Sequence, residues 1–223
     1  MASKAPDTMM KKTLFVSLVL CSLLTSGCVV GRRTVALPIP TQPPASADKG
    51  GFHIAEVVDN RKFENKPRDA SIPSIDGDVT SLSSEVKSSM IGRQRNTYGK
   101  AMGDIALPAG DSVVKRSRAL LEEGLRRRGY TISDDPNAAH AASVSIDEFW
   151  AWFSPGMFAV SFEARVTCTL RVRKGDGSAD VVIHGYGMNK GQVASDGNWQ
   201  LAYTRAFEDF LAKMGPELDK AGL

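Results

Sequence analysis

The stretch Phe158-Ala-Val-Ser-Phe-Glu-Ala-Arg-Val-Thr-Cys-Thr-Leu-Arg-Val172 decides the fold, because apolar and polar residues alternate along its whole length. Every even-numbered residue in it is apolar, whereas most odd-numbered residues are polar. This alternation predicts a strand with one face in the core and one face toward solvent. Its length is typical of a long strand in an antiparallel sheet.

Turn signals on both sides of this stretch predict a three-stranded antiparallel unit. Asp176-Gly177 favours a two-residue hairpin, which would place Cys168 opposite Gly185 in the next strand. Ser154-Pro155-Gly156 indicates the preceding turn, and a three-residue loop there would place Val160 opposite Trp150.

One residue of the preceding strand does not fit that register. Glu148 would lie opposite Phe162 on the apolar face. A β-bulge or a position at the rim of the sheet explains this most simply. A functional buried carboxylate remains the alternative.

Helical periodicity predicts two amphipathic helices around this unit. The first begins at Asp111 or Ser112 and ends at Gly129, and the second runs over residues 195–214. Arg126-Arg127-Arg128 occupy the last turn of the first helix, where the helix dipole favours cations. A structural role for this basic trio is favoured over binding of nucleic acid or phospholipid.

The remaining pattern completes the predicted domain. Phe52–Val58 indicates a first strand and Tyr130–Ile132 a short one, whereas residues 60–111 show no sustained period and predict a long excursion. We therefore expect a single α+β domain at 51–217. Its antiparallel or mixed sheet would have four to five strands, with both helices packed on one face.

The N-terminal segment has the features of a secretory leader. Lys11-Lys12 precede the apolar run Leu14–Leu24, which is too short to span a bilayer. Thr25-Ser26-Gly27-Cys28 then resembles the bacterial lipobox, although Thr25 stands where a leucine-like residue is usual. This predicts a lipoprotein signal peptide at 1–27 that starts at Met1, Met9 or Met10. Ordinary signal cleavage and an uncleaved anchor are the alternatives.

The resemblance to lipoproteins implies acylation of Cys28, including palmitate, which would hold the chain in the lipid bilayer. Val29 follows the cysteine and favours the periplasmic face of the outer membrane. Residues 28–50 then form a tether with four prolines (Pro38, Pro40, Pro43 and Pro44).

Together these features resemble the YajG-type family of small bacterial lipoproteins. The resemblance covers roughly residues 14–30 and 51–215. It depends on the lipobox, on Asp59-Asn60-Arg61 after the first strand, and on Leu125–Tyr130 at the end of the first helix. The hairpin strands and the last helix also contribute. The resemblance implies an envelope location and an α+β fold, but it carries over no catalytic residues.

No arrangement of catalytic, cofactor-binding or metal-binding residues stands out, so we expect a protein that is not an enzyme and has no cofactor or metal. Gly185-Tyr-Gly187-Met-Asn-Lys-Gly191 is one residue too long for a dinucleotide fingerprint and lies in a predicted strand. Cys168 would point inward and His184 outward, which separates a thiol from a base. His53 and His140 are expected at the surface or at strand ends, without partners.

The electrostatic balance argues against nucleic acid. The chain has 28 Lys and Arg against 25 Asp and Glu. Three of those bases and one of those acids precede Cys28, so the formal charge of +3 falls to +1 in the mature chain. A nearly neutral protein offers little attraction to a phosphate backbone.

The outer face of the predicted sheet is the candidate interaction surface, with Arg165, Arg171, His184, Tyr186 and Met188. It would dock an envelope protein or a second copy of the chain.

The leading hypothesis is thus a membrane-anchored, non-catalytic accessory or structural module. A second is a module that binds an envelope lipid or glycan between helices and sheet near Trp150 and Trp152. A weaker one is an envelope hydrolase that uses Asp59, Arg61 and the excursion.

Overall fold

The computed structural model describes residues 31–96, 98–156, 160–174, 177–192 and 194–223. Within these residues the chain forms eight strands and three α-helices. The strands are β1 (Arg33–Thr34), β2 (Gly51–Asp59), β3 (Met90–Arg95), β4 (Ala101–Ala106), β5 (Thr131–Ile132), β6 (His140–Pro155), β7 (Val160–Lys174) and β8 (Gly177–Gly191). The helices are α1 (Ser84–Ser89), α2 (Val113–Arg127) and α3 (Asp196–Lys220).

Strand β7 is built as its alternation predicts. Its even-numbered residues from Phe162 to Val172 are buried, and Arg171 and Arg173 are exposed. Phe158, at the start of the predicted strand, lies outside the described residues. Strand β7 pairs antiparallel with β6 on one side and β8 on the other, as expected for the central member of a three-stranded unit.

The register on the β8 side differs from the prediction by two residues. Cys168 pairs with Ile183 rather than Gly185, because Lys174 and Gly177 are the last pair before the turn. A shift of two residues preserves which side chains face the core, so the predicted faces are correct. The predicted turn residue Asp176 itself lies outside the described part of the chain.

Strand β6 carries a β-bulge next to Glu148, as predicted. The effect of this bulge on the rest of the strand was not predicted. The pairing with β7 shifts between Ile146 and Glu148, so Asp147 and Glu148 both leave the core face. Beyond the bulge Phe149 faces the core, and Trp150 pairs with Arg165 instead of Val160. The predicted register of β6 against β7 was therefore wrong on both sides of the bulge.

The sheet is mixed and has eight strands, which corrects the predicted antiparallel or mixed sheet of four to five strands. One edge of β6 pairs in parallel first with β2 and then, at Ala151 and Trp152, with β3. The segment 60–111, expected to be an irregular excursion, supplies α1 and the antiparallel β3–β4 hairpin. Its short strands have too few residues to show a period.

Two further strands are short: β5 confirms the strand predicted at Tyr130–Ile132, whereas β1 comes from a segment with little strand character. Strand β1 pairs in parallel with β4, and β5 pairs in parallel with β2. Val35 and Leu37, in the proline-rich segment, are buried in the main core. Packing against the sheet therefore begins upstream of Gly51.

Helices α2 and α3 cover one face of the sheet, as predicted, and α1 is an additional short helix. Ser112 caps α2 by accepting a hydrogen bond from Lys115 N, and Gly129 ends it with φ 90°. Helix α3 buries a stripe of apolar and aromatic residues along the sheet: Trp199, Ala202, Tyr203, Ala206, Phe207, Phe210 and Met214.

Two glycines allow α3 to approach β8 closely. A Cβ atom at Gly185 would lie 2.2 Å from the carbonyl oxygen of Ala206, and one at Gly187 would lie 2.1 Å from that of Ala202. Only a residue without a side chain fits at either position. The glycine spacing that resembles a nucleotide fingerprint therefore serves packing between strand and helix.

The three arginines at the end of α2 have structural partners. Arg126 and Arg127 pair with Glu122 and Glu123 one turn earlier, at 3.0 and 2.8 Å. Arg128 pairs with Asp219 near the end of α3. These contacts support the structural interpretation of the basic trio.

Candidate functional site

The face of the sheet opposite α2 and α3 is divided into a covered half and an open half. The covered half centres on Trp150 and Trp152, which pack with Ile75, Met90 and Ala106 in a second, smaller core. The segment 62–82 forms the lid of this core, and Trp150 Nε1 donates a 3.2 Å hydrogen bond to Ala70 O. The tryptophans thus lie on the opposite side of the sheet from the pocket predicted between helices and sheet.

Arg61 fixes the start of this lid. Its Nε and Nη2 donate 2.8 Å hydrogen bonds to the two carboxylate oxygens of Asp59. Its Nη1 donates to the carbonyls of Met90 and Phe149, and Nη2 also donates to Lys87 O. All five guanidinium donors are used, so the Asp59–Arg61 cluster considered for hydrolysis is a structural junction.

The open half is formed by β7 and β8 and holds all five predicted interaction residues. Arg165 pairs across the strands with Tyr186, and Glu163 pairs with Met188. His184 lies opposite Thr167 and is exposed. These positions form one continuous patch, which we call the outer sheet patch: Arg165, Thr167, Thr169, Val182, His184, Tyr186 and Met188.

Arg171 lies apart from the centre of this patch. It is six residues from Arg165 along β7, which corresponds to roughly 20 Å in a strand. Its guanidinium pairs with Asp180 at 3.0 Å, and this pair raises the pKa of Arg171 and lowers that of Asp180. The two residues lie directly opposite each other on β7 and β8.

A chain of polar groups crosses the outer sheet patch. The hydroxyl of Thr167 donates to Glu148 Oε2 at 2.6 Å and lies 3.1 Å from His184 Nδ1. Because the hydroxyl has one proton, it accepts from a protonated Nδ1. Arg165 pairs with the other oxygen of Glu148 at 3.0 Å. The chain fixes the direction of the His184 ring, and it forms only because the bulge turns Glu148 outward.

Tyr186 is held in place through both its side chain and its backbone. Its hydroxyl donates to Glu163 Oε2 at 2.8 Å, and its backbone N–H donates to Asp209 on α3 at 2.9 Å. Partial burial and the contact with Glu163 raise the pKa of the Tyr186 phenol to about 12. Arg205 on α3 donates to Met188 O, so the helix also caps part of the free edge of β8.

A cavity of about 340 Å³ lies where the lid meets the outer sheet patch. The residues around it include Trp150, Arg165, Glu148, Asn60 and Lys62. Asp147 also lines it, so an aromatic ring, two carboxylates and two bases face one small space. The sequence contained one signal for it, namely the unexplained Glu148 close to Trp150.

The remaining candidates have structural or untested roles. Cys28 lies outside the described residues. Cys168 is fully buried, and burial raises the pKa of its thiol to about 12, so it is a core residue well separated from the exposed His184. His140 lies at the start of β6, as expected for a strand end, but both histidines have partners that the sequence did not reveal: His53 Nδ1 lies 2.9 Å from Ser133 O, and His140 stacks on Phe52.

The described residues hold neither a metal cluster nor a membrane-spanning helix. In that part of the chain, no three metal-ligating side chains are grouped as a metal site would require. No helix in it combines the length and apolar character needed to cross a membrane.

Comparison with known proteins gives structural similarity only. No family model matches the chain, and no curated protein matches it. Among solved structures, protein XCC0632 from Xanthomonas campestris, of the family DUF330, is similar with a TM-score of 0.46 and 9% identity. The match covers 86% of this chain and 98% of that one. An uncharacterised protein is similar with a TM-score of 0.39 and 10% identity, over 84% and 97% of the two chains.

Proposed function

We propose that this chain is a lipid-anchored, non-catalytic interaction module of the bacterial cell envelope. Its docking surface is the outer sheet patch, and its partner is a protein. The proposal combines the leader and Cys28 in the sequence with one structural observation, the uncovered apolar row on β8. Membership of the YajG-type family and a position on the periplasmic face of the outer membrane belong to the same proposal.

The apolar row carries the proposal. Val182, Tyr186 and Met188 are 41%, 45% and 36% exposed on one face of one strand. The other exposed large apolar residues of the described chain, Val58, Tyr98 and Leu201, are on separate elements. Scattered apolar residues are ordinary at a surface, but an aligned row beside an ordered polar rim is typical of a docking site.

The charges of the patch favour a protein over a membrane or nucleic acid. Arg165 in the patch is paired with Glu148, and Arg171 outside it is paired with Asp180, so neither arginine adds an unbalanced charge. A surface whose charges are already paired gains little from a polyanion. It suits a partner with a mixed apolar and polar surface.

Site-specific photo-crosslinking in cells tests this docking surface. A photoreactive residue at Val182 is expected to give a defined adduct with one envelope protein, and Tyr186→Asp is expected to abolish that adduct. Leu201, exposed to 39% on α3, is the matched control position, where a photoreactive residue should give no such adduct. The same adduct from both positions, or an adduct unaffected by Tyr186→Asp, would contradict the proposal. An adduct with a second copy of the chain would mean that the outer sheet patch mediates self-association instead of binding a different protein.

The anchor is tested separately. Incorporation of labelled fatty acid is expected in the full chain and absent in Cys28→Ala. Equal labelling of the two proteins would remove the anchor from the proposal without affecting the docking surface.

The second candidate function is binding of a small envelope ligand, a lipid or a glycan. The cavity at Trp150 favours it, because an aromatic ring with a few convergent polar groups is the usual composition of a ligand site. Native mass spectrometry of the purified chain should show a bound small molecule, and Lys62→Glu should release it. A chain without bound mass that also binds no added glycan or lipid would exclude this function.

A further inference from the structure

Arg95, at the end of β3, is a buried cation without an anionic partner among the described residues. It is 9% exposed, yet no carboxylate of the described chain lies within ion-pair distance of its guanidinium. Its Nη1 donates to Pro67 O at 2.6 Å and its Nη2 to Ser74 Oγ at 3.1 Å, both neutral acceptors. Its Nε is buried and meets no acceptor in the described part of the chain.

The other buried arginines of this region differ from Arg95 in that each has a carboxylate within ion-pair distance, although the Nε of Arg93 also lacks a hydrogen bond in the described chain. Arg61 uses all five donors and holds the carboxylate of Asp59. Arg93 has its Nε 3.4 Å from Asp104 and donates from Nη2 to Asp76 at 3.2 Å. Removing a charge from water without a counter-charge is strongly unfavourable. Burial and the nearby charge of Arg93 lower the pKa of Arg95, and the more distant charge of Asp69 offsets this only in part.

Arg95 lines a cavity of about 650 Å³ between the β3–β4 hairpin and the lid, which we call the hairpin cavity. Four further bases line the same space: Lys66, Arg68, Arg93 and Lys100. Asp76 is the one acid among the lining residues of the described chain, and it already pairs with Arg93. The hairpin cavity therefore has a clear excess of positive charge.

We propose that the hairpin cavity binds a phosphate group, with Arg95 as its central contact. Nη1 and Nη2 of Arg95 each retain one N–H after their contacts with the protein. A guanidinium with two free N–H groups suits two oxygens of one phosphate. Lys66 and Lys100 are exposed, and their long side chains can reach the same anion as point charges.

The size of the hairpin cavity indicates a phosphate that belongs to a larger molecule. A volume of about 650 Å³ is within the range of sites for small organic ligands. Tyr98 stands at its rim with 93% of its surface exposed and offers a ring against which the rest of a ligand can pack. A soluble phosphate ester and the headgroup of an anionic phospholipid share this chemistry. This site is separate from the outer sheet patch, so it extends the proposed function.

Thermal unfolding of the full chain in nonionic detergent tests the site with two probes. The first probe is inorganic phosphate, compared with chloride at equal ionic strength. The second is phosphatidylglycerol added to the micelles, compared with phosphatidylcholine. We expect at least one anionic probe to raise the unfolding midpoint in a saturable manner, because a ligand that binds the folded state stabilises it. Stabilisation by phosphatidylglycerol alone would identify a lipid headgroup, and stabilisation by phosphate would identify a soluble ester.

Three variants make the result specific. Arg95→Gln should weaken binding about tenfold or more, as expected when a charge-assisted hydrogen bond is lost. The double variant Lys66→Gln with Lys100→Gln changes exposed side chains only, and it should also weaken binding even if Arg95→Gln does not fold. Lys220→Gln removes one positive charge from an exposed position on α3 and should bind as the unmodified chain does. No stabilisation by either probe, or equal stabilisation of all three variants, would overturn the proposal.

Discussion

The carboxylate of Asp59 and the guanidinium of Arg61 form a two-pronged ion pair, with both contacts at 2.8 Å, where two parallel strands meet along one edge of β6. Strand β2 pairs with β6 as far as Ile146, and β3 pairs with it from Ala151. Phe149 lies between these points, and its carbonyl accepts from Arg61 at 2.9 Å. A side chain therefore satisfies a backbone group that neither β2 nor β3 reaches.

Asp59→Ala should destabilise the protein by about 3–5 kcal/mol, because it leaves Arg61 as a buried charge with no carboxylate. Chemical denaturation measured by circular dichroism gives this difference. Asp180→Ala is the matched control, since it removes the carboxylate of an exposed pair with Arg171 and should change the stability far less. Equal effects of the two changes would show that the Asp59–Arg61 pair does not hold the junction.

The close approach of α3 to β8 makes a second prediction. Gly187→Ala would place a Cβ 2.1 Å from Ala202 O and 2.4 Å from Ala206 N, and both are backbone atoms of α3. Helix α3 has to move away from β8, so we expect the free energy of unfolding to fall by about 1–3 kcal/mol or more. Thermal unfolding measures it.

Gly197→Ala is the control for this change. Gly197 lies in the first turn of α3, and in the described chain no atom other than its chain neighbours and its own helix backbone would lie within 4 Å of a Cβ added there. Alanine favours a helix over glycine by up to about 1 kcal/mol, so this variant should be unchanged or more stable. Similar losses in both variants would argue against the close contact of α3 with β8.

The polar chain across the outer sheet patch predicts a third effect. Thr167→Val keeps the shape of the side chain but removes the hydroxyl between Glu148 and His184. We expect a loss of about 1 kcal/mol in stability and greater freedom of the His184 ring. Nuclear magnetic resonance of the His184 side chain reports that freedom. Thr169→Val, which removes the hydrogen bond from Thr169 to Asp147, is the control that should leave the His184 signals in place.

The features that could be predicted from the sequence are those with long, regular periods. The alternation from Phe162 to Val172 and the apolar stripe of α3 extend over many residues, so the faces of β7 and α3 follow from them. The interaction residues Arg165, His184, Tyr186 and Met188 lie on the outer face for the same reason. A register error of two residues changes neither the direction of a strand nor which of its side chains face the core.

The features that could not be predicted depend on contacts between distant segments. A single bulged residue at Asp147 reverses the facing of Trp150, and no local pattern states on which side of the sheet it then lies. Strand β3 is six residues long and pairs with β6 through only two of them, which is too little to show a period. Arg95 meets its neutral acceptors on Pro67 and Ser74 only in the folded chain, because these residues are far from it in the sequence. These are the elements that build both cavities.

The buried thiol of Cys168 gives a prediction for alkaline pH. Burial raises its pKa from the ordinary value of 9.0 to about 12, so the folded state keeps its proton where the unfolded state releases it. The contribution of this thiol to the free energy of unfolding is fully present below pH 9.0, and it is lost as the pH rises toward about 12. The expected slope is about 1.4 kcal/mol per pH unit in that window.

Denaturant titrations between these two pH limits test the assignment by comparing the unmodified chain with Cys168→Ala. The variant loses some packing at every pH, but its stability should fall less steeply above pH 9.0 because the titrating thiol is absent. Tyr186→Phe provides a reference, since the Tyr186 pKa of about 12 affects stability only above its ordinary value of 10.0. A Cys168→Ala curve parallel to that of the unmodified chain would mean that the thiol is accessible to solvent, and rapid alkylation of Cys168 in the folded protein would lead to the same conclusion.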